Sequence, residues 1–464
     1  MKRYLILGSG VAGRRAAKSI QRKATDSEIT IVEEQSNPFY ARPMLGEQFG
    51  RKSGVGQSAV REKERLSELG IRFKTGAKVN ELRLREQSVL LNTSEVLFYD
   101  KLLVASGVKT ARLACDQGNN PNVVYMDTLN DIQALGSKID SVRKAVVFGT
   151  SYQAFGALKG LRSLGIDCTL VIPEERLWSQ SLDAVASTIL EQRLSQEKIT
   201  IVKQSNIEFL EQDGDTLRGV VVSGGNKISA DLLVVAAPQK PVLDYVTSDG
   251  LNSDRGIIVD AGLKTSAQNV FAAGDVAQLS TESMIATSAQ TGWLRAWKQG
   301  SIAGENMVSG DENVIYDGIP SMRTRIFDLD LVCLGLSGAE GEGVQSQSGD
   351  YPYAEMPYIY KKIIYKQGKV AGAIFLGDVN EAGVVEEWVR KGISAAECDK
   401  QVLDNMFELQ YKSSAAYGVL CPVCKFHMQI DNKAEEGSII TCPACGIDFK
   451  VERLPNGAFH AVPV

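Results

Sequence analysis

Short apolar runs recur along the chain, each ending in glycine or another small residue and several followed by a stretch with helical spacing. Arg3 to Leu7 is the first. It leads into Gly8-Ser9-Gly10-Val11-Ala12-Gly13 and then a segment carrying Ala16, Ala17 and Ile20, which predicts strand, tight turn and helix in that order. Ile29 to Val32 has strand character again and ends at Glu33 and Glu34. Tyr99 to Gly107 and Asn269 to Asp275 are apolar runs entering small residues. Lys144 to Phe148, the turn Gly149 to Ala154, a helical stretch to Leu164 and Cys168 to Ile172 repeat the strand, turn, helix and strand sequence. Strands that alternate with helices predict parallel sheets and an α/β fold. Gly292 to Met307, with Ala296, Gln299-Gly300 and Ala303, predicts a further helix. Ile326 to Leu336, Tyr358 to Tyr365 and Val370 to Phe375 read as strands, the last two joined by a hairpin turn at Gln367-Gly368.

Length and charge narrow the possibilities. A chain of 464 residues is too long for one core and implies several domains. Its formal charge of −5, with 44% apolar and 23% charged residues, is that of a soluble globular protein with no electrostatic attraction for nucleic acid. No run approaches the ~18 to 20 apolar residues that cross a bilayer. The opening MKRYLILGSG leads into a glycine motif instead of a cleavage site, so a cytoplasmic protein without direct membrane insertion is expected. Of the eight cysteines, Cys115, Cys168, Cys333 and Cys398 stand singly and four form CxxC pairs, a usage that suits a reducing compartment.

The first glycine turn has the chemistry of a dinucleotide site. Gly8 permits the turn, Gly10 lets a pyrophosphate approach the backbone, Gly13 lets helix and strand pack closely, and the helix start supplies N–H donors. Glu33 or Glu34, at the end of the next strand, can accept hydrogen bonds from ribose hydroxyls. The second turn begins with Gly149 but has Ser151 and Ala154 where the next two glycines belong, and Ile172 at the strand end with Glu174 and Glu175 beyond it. No cysteine precedes Cys115, and the only histidines, His427 and His460, lie in the tail, so no histidine of the body can serve as the proton-transferring base of disulfide reduction.

Near the C-terminus Cys421, Cys424, Cys442 and Cys445 form a C-x2-C-x17-C-x2-C array. Two tight turns can bring four thiolates into a tetrahedron suited to Zn²⁺ or a single Fe. Zinc is favoured, because rubredoxin-type iron sites have a longer, aromatic-rich span and this one contains the polar stretch Asp431 to Gly437. Four thiolates leave no need for His427 or His460 as ligands.

With these motifs in order, the chain resembles the FAD-dependent pyridine nucleotide-disulfide oxidoreductase superfamily. Tyr40-Ala41-Arg42-Pro43-Met44-Leu45 resembles the YxRPxL segment of its rubredoxin-reductase and assimilatory nitrite-reductase branch, and Lys362 to Asp378 resembles that branch's small C-terminal domain. The resemblance covers residues 1 to 395 or so and implies FAD at the first turn. It places Arg42 and Pro43 along the flavin, Ala105 to Gly107 as an ATG-like turn, and Gly274-Asp275 at the ribityl or pyrophosphate region. It implies NAD(P)H at the second turn, including Gly149. The branch's SK after RPxL is here Gly46-Glu47, and its glutamate after the second turn is Gly156, so a Lys/Glu pair is missing.

The implied organisation is an FAD domain over residues 1–110 and 241–312, an inserted NAD(P)-binding-like domain over 111–240, an interface or dimerisation-like domain over 313–400 and a zinc ribbon over 415–464. The implied function is electron transfer between NAD(P)H and a protein acceptor or partner subunit. The other reading is an FAD-carrying or structural subunit of a larger redox complex, such as a 2-oxoacid or aldehyde oxidoreductase, with its nicotinamide site degenerate. A homo-oligomer is compatible with either.

Overall fold

The computed structural model describes residues 1–36, 39–46, 63–118, 120–136, 138–236, 238–246, 250–280, 292–309, 313–341, 343–353, 356–407, 418–421, 423, 427–429, 436–442, 446–453 and 459–463. Glu47, Cys424, Asp431 and Cys445, named above, lie outside them.

Two parallel five-stranded sheets form the body. The first runs in the order Val270–Ala272, Lys101–Val104, Lys2–Leu7, Ser27–Glu33 and Arg72–Thr75, every neighbouring pair parallel. Its central strands are unbroken apolar runs, and Leu5, Ile6, Leu7, Leu102, Leu103 and Val104 are all buried. A strand covered on both faces requires that pattern. The second sheet runs Thr200–Val202, Asp167–Val171, Lys144–Phe148, Leu232–Val235 and Val123–Tyr125, again all parallel. All five of its strands fall in the chain between two strands of the first sheet, so the second unit is an insertion.

In each sheet a helix makes the first crossover: α1, Val11–Lys23, between Lys2–Leu7 and Ser27–Glu33, and α2, Tyr152–Ser163, between Lys144–Phe148 and Asp167–Val171. A third helix, α3, spans Trp293–Ser309 and returns to pack against α1. The approach is backbone to backbone. A Cβ on Gly300 would lie 2.2 Å from the carbonyl oxygen of Ala12, and one on Gly304 would lie 2.5 Å from that of Ala16. Glycines four apart on α3 thus meet alanines four apart on α1, one helical face against another.

A third, antiparallel sheet runs Ser321–Ile326, Leu329–Gly335, Lys369–Leu376, Met356–Lys366 and Val344–Tyr353, with the helix Ala382–Lys391 against it. The apolar run read as one strand over Ile326 to Leu336 is split: Ile326 pairs with Leu329 across a turn at Phe327, whose φ is +55°, and the buried strand begins only at Leu329. Hydrophobicity continued through the bend because Phe327 itself packs against the core. The turn at Gln367-Gly368 forms as expected, with φ of +52° and +72°.

Asp183 ties this sheet to the inserted unit. It caps the helix Ala184–Gln196 by accepting from Ala186 N and also accepts hydrogen bonds from Tyr360 Oη at 2.6 Å and Lys362 Nζ at 2.8 Å. Burial alone would raise the Asp183 pKa, but the bonds from Lys362 and Tyr360 bring it below its ordinary value. The tail forms a two-stranded hairpin, Gly418–Leu420 with His427–Gln429, and a three-stranded sheet of Ile439–Thr441, Asp448–Arg453 and Phe459–Pro463. Among the described residues no helix is long and apolar enough to cross a membrane.

The α1–α3 contact makes a prediction of sign. Glycine to alanine in an open helix stabilises by about 0.5–1 kcal/mol. At Gly304 the new methyl meets a backbone carbonyl that cannot rotate away, so Gly304→Ala is expected to destabilise by about 1–3 kcal/mol. The check is a lower melting temperature in a thermal scan of the purified variant.

Candidate functional site

The three glycines of the first turn have different jobs. Gly8 has φ +106°, and a Cβ there would lie 2.3 Å from Ala105 O; a Cβ on Gly13 would lie 2.1 Å from Gly8 O. Both are required by the protein's own packing. A Cβ on Gly10 would have no neighbour within 4 Å, so this glycine alone opens onto empty space. Gly10 is also the N-cap of α1 and makes no side-chain capping bond. A helix start uncapped by any side chain, beside space that a Cβ would partly fill, fits the pyrophosphate of a dinucleotide.

That space is a cleft of about 960 Å³, part of it open to solvent, and it continues beneath the turn past Gly8. Glu33 lines it. Its Oε2 accepts hydrogen bonds from Ser9 N at 3.0 Å and Ser9 Oγ at 2.7 Å, and its Oε1 accepts from Gln35 N at 2.9 Å, which fixes the carboxylate beside the turn. Glu34, the neighbouring acid, is exposed at the rim and pairs with Lys109 at 2.8 Å. Of the two, Glu33 is the one held against the cleft.

Arg42 and Pro43 enter on a single 3-10 turn, Arg42–Met44. Arg42 Nη1 donates to Val108 O at 2.9 Å and Nη2 faces Asp127 at 3.5 Å, so the guanidinium is tied to the segment that follows Gly107. Ala105 and Gly107 line the cleft, and Gly107 has φ +70°. From the far edge of the sheet come Gly274 and Asp275. Gly274 N donates to Gln299 Oε1 at 2.9 Å, and Asp275 Oδ1 accepts from Gly292 N at 3.1 Å, immediately before α3. Asp275 therefore supports the approach to that helix while lining the cleft.

Several wall residues were not singled out from sequence. Phe39, Trp293 and Ala296 line one side, and Tyr152 and Gln153, the first residues of α2, line the other. The signal for Tyr152 was its place directly after the second turn; for Trp293, its place at the start of the helix following Gly274-Asp275. Tyr40 closes the floor, its hydroxyl donating to Gln35 Oε1 at 2.7 Å and accepting from Leu129 N at 3.0 Å, and burial pushes its pKa up to about 12. Among the described residues no cysteine or histidine lines the cleft. Burial pushes the Cys168 thiol up to about 12 and raises that of Cys333, which keeps both protonated and unreactive.

The second turn keeps the strained glycine, Gly149 at φ +103°, but differs at the helix start. Ser151 is the N-cap of α2, and its Oγ accepts from Ala154 N at 3.3 Å, engaging a donor that the first turn leaves open. Gly149 is not part of the cleft wall. Ile172 is buried, Glu174 is half-buried and Glu175 exposed. At the branch's glutamate position, Gly156 packs main chain to main chain with Gly46: a Cβ on Gly46 would lie 2.3 Å from Ala157 N, while Glu47, at the lysine position, lies outside the described residues. The structure thus brings Gly10, Glu33, Arg42, Pro43, Ala105, Gly107, Gly274 and Asp275 to one cleft, with Gly8 and Glu34 on its continuation and Gly13 behind the turn.

In the tail, Cys421 and Cys442 are fully buried in one small core. Gly446, at φ +69°, donates from its N to Cys442 O at 2.7 Å, and Cys442 N donates to Ile447 O at 2.9 Å. Two buried thiols, each leading into a CxxC pair, fit a thiolate metal site.

Comparison with known proteins bears on both parts. Residues 419–456 match the globular domain of the alpha-aminoadipate carrier protein LysW-like zinc-ribbon family. The chain is 24% identical over 412 residues to the assimilatory nitrate reductase electron transfer subunit of Bacillus subtilis (strain 168), covering 87% of this chain but only 51% of that one, so it spans about half of that relative. It is 27% identical over 271 residues to the NADH-dependent phenylglyoxylate dehydrogenase subunit epsilon of Aromatoleum evansii, covering 58% of this chain and 64% of that one. Among solved structures, the ferredoxin reductase for the CYP199A2 system from Rhodopseudomonas palustris shares the fold, with a TM-score of 0.78 at 21% identity over 88% of this chain and 100% of that one. Residues 2–299, which supply both parallel sheets and the start of α3, match the pyridine nucleotide-disulphide oxidoreductase family, and the chain belongs to it.

Proposed function

We propose that this protein is an FAD-dependent oxidoreductase that passes electrons between NAD(P)H and a protein acceptor or partner subunit, without a redox-active disulfide of its own. One observation carries the reading: the starts of α1 and α2, which follow the two glycine turns, open into the same cleft. Gly10 holds the FAD pyrophosphate against α1 in a turn that Gly8 and Gly13 shape, Glu33 takes the ribose with Glu34 at the rim, and Asp275 takes the ribityl chain beside Gly274. Arg42, Pro43, Ala105 and Gly107 position the ring. FAD supplies the exchange between hydride transfer and electron delivery. Gly149 shapes the turn that directs α2, and with it Tyr152 and Gln153, toward the flavin.

In domain terms, residues 1–110 and 241–312 hold FAD, 111–240 receive the nicotinamide, 313–400 form an interface domain and 415–464 a zinc ribbon on Cys421, Cys424, Cys442 and Cys445. A protein acceptor is supported by relatives whose names describe an electron transfer subunit and a dehydrogenase subunit. A cytoplasmic setting is supported by the single thiols Cys115, Cys168, Cys333 and Cys398. The second reading, a flavin-bearing subunit with its nicotinamide site lost, is favoured by the Ser151 cap and by the Gly46–Gly156 contact.

Anaerobic titration of the flavin-loaded protein with NADH and then NADPH, against a dithionite endpoint, separates the two. Stoichiometric bleaching of the oxidised flavin by either nucleotide is the expected result; reduction by dithionite alone selects the subunit reading. Asp275→Ala is expected to weaken FAD by about ten- to a hundredfold, the value of a hydrogen bond to a charged group, and unchanged flavin content in the folded variant would count against the assigned role. Gly10→Ala should leave the melting temperature of flavin-free protein nearly unchanged yet weaken FAD. Gly13→Ala, whose methyl meets Gly8 O, should lower the melting temperature with or without flavin.

A further inference from the structure

The tail leans on the wall of the cleft. Its core of Val419, Cys421, Cys442 and Phe449 is completed on one side by Ala41, Trp293 and Trp297 of the body. Trp293 lines the cleft, and Ala41 immediately precedes Arg42 and Pro43, which also line it. The contact continues inward as a stack: the Arg15 guanidinium lies 4.2 Å from the Trp297 ring centroid, that of Arg14 lies 3.1 Å from the Phe39 centroid, and the rings of Phe39 and Trp293 are 5.7 Å apart. Arg14 and Arg15 belong to α1, the helix whose start faces the cleft. At the edge, Arg65 reaches Asp448 of the tail at 3.8 Å.

A ribbon of this size buries too little apolar surface to fold by itself, and its metal supplies the missing stability. Loss of the metal therefore strips apolar cover from Ala41, Trp293 and Trp297 and frees the side chains they hold. We infer that the ribbon is a metal-dependent wall of the flavin pocket, so that zinc at Cys421 and Cys442 and FAD in the cleft strengthen each other's binding through Trp293 and Trp297. This rests on the FAD-site reading above. Trp297 acts as a positioning residue: it touches the ribbon core and Arg15 but does not line the cleft. Coupling of this kind is reciprocal, since each ligand must change the other's affinity by the same factor.

The test uses full-length protein stripped of flavin, either zinc-loaded or chelator-treated, and titrated with FAD. Tryptophan quenching reports the event, because two of the chain's four tryptophans sit at this contact. Removing zinc is expected to raise the FAD dissociation constant by about five- to fiftyfold, and FAD saturation should lower the zinc dissociation constant, read by equilibrium competition with a chelator, by the same factor. In Trp297→Ala both effects should shrink to near nothing while the zinc-loaded variant still binds FAD; Trp297→Phe, which keeps a ring over the contact, should restore them. FAD affinity independent of zinc, with zinc affinity independent of FAD, would overturn the coupling and leave the FAD site standing. Failure of the zinc-loaded wild type to bind FAD at all would overturn that reading and the coupling with it. The wild-type comparison decides the matter even if Trp297→Ala does not fold.

Discussion

The contact between α1 and α3 is the constraint on which the cleft depends. Gly300 and Gly304 bring one helix backbone against the carbonyls of Ala12 and Ala16, with no room for a side chain between them. This fixes the start of α3, and with it Trp293 and Ala296, relative to the first glycine turn at the start of α1. The same contact brings two distant chain segments together, so that Asp275 and Gly10 face one space although an entire inserted sheet separates them in sequence.

The two glycine turns show how a shared backbone can offer different chemistry. Both begin with a glycine at φ near +105°, +106° at Gly8 and +103° at Gly149, because each strand must turn sharply into its helix. At the first turn Gly10 leaves the helix start open to a ligand. At the second, the Ser151 hydroxyl satisfies one of the donors itself. Dinucleotide affinity at the second turn must therefore draw on fewer backbone donors, and the contribution of α2 to the cleft comes through the side chains of Tyr152 and Gln153.

Charge and thiol chemistry are arranged to stay out of the way. The single cysteines of the body lie away from the cleft, and burial holds Cys168 and Cys333 in the protonated form. The buried ions near the inserted unit, Asp183 with Lys362, are fully bonded and join one domain to the next. The region around the first turn is thus left to backbone donors, the Glu33 carboxylate and the Arg42 guanidinium.

Much of this was legible in the sequence, because strands buried on both faces must be apolar throughout and glycine turns must stand between strand and helix. The strands Lys2–Leu7 and Lys144–Phe148, the helices that follow them and the cleft residues Gly10, Glu33, Arg42 and Asp275 are all local in that sense. The split of the Ile326 to Leu336 run was not legible, because Phe327 is apolar for packing while its backbone turns. Nor was the preference for Glu33 over Glu34, which depends on Ser9 and Gln35 holding one carboxylate and Lys109 drawing the other to the rim. The placement of the cysteine-rich tail against Ala41, Trp293 and Trp297 was beyond sequence reading for the same reason. Local pattern determined which elements form and where the glycine turns stand. Which side chains meet across the cleft was decided by long-range packing, which no short window of sequence contains.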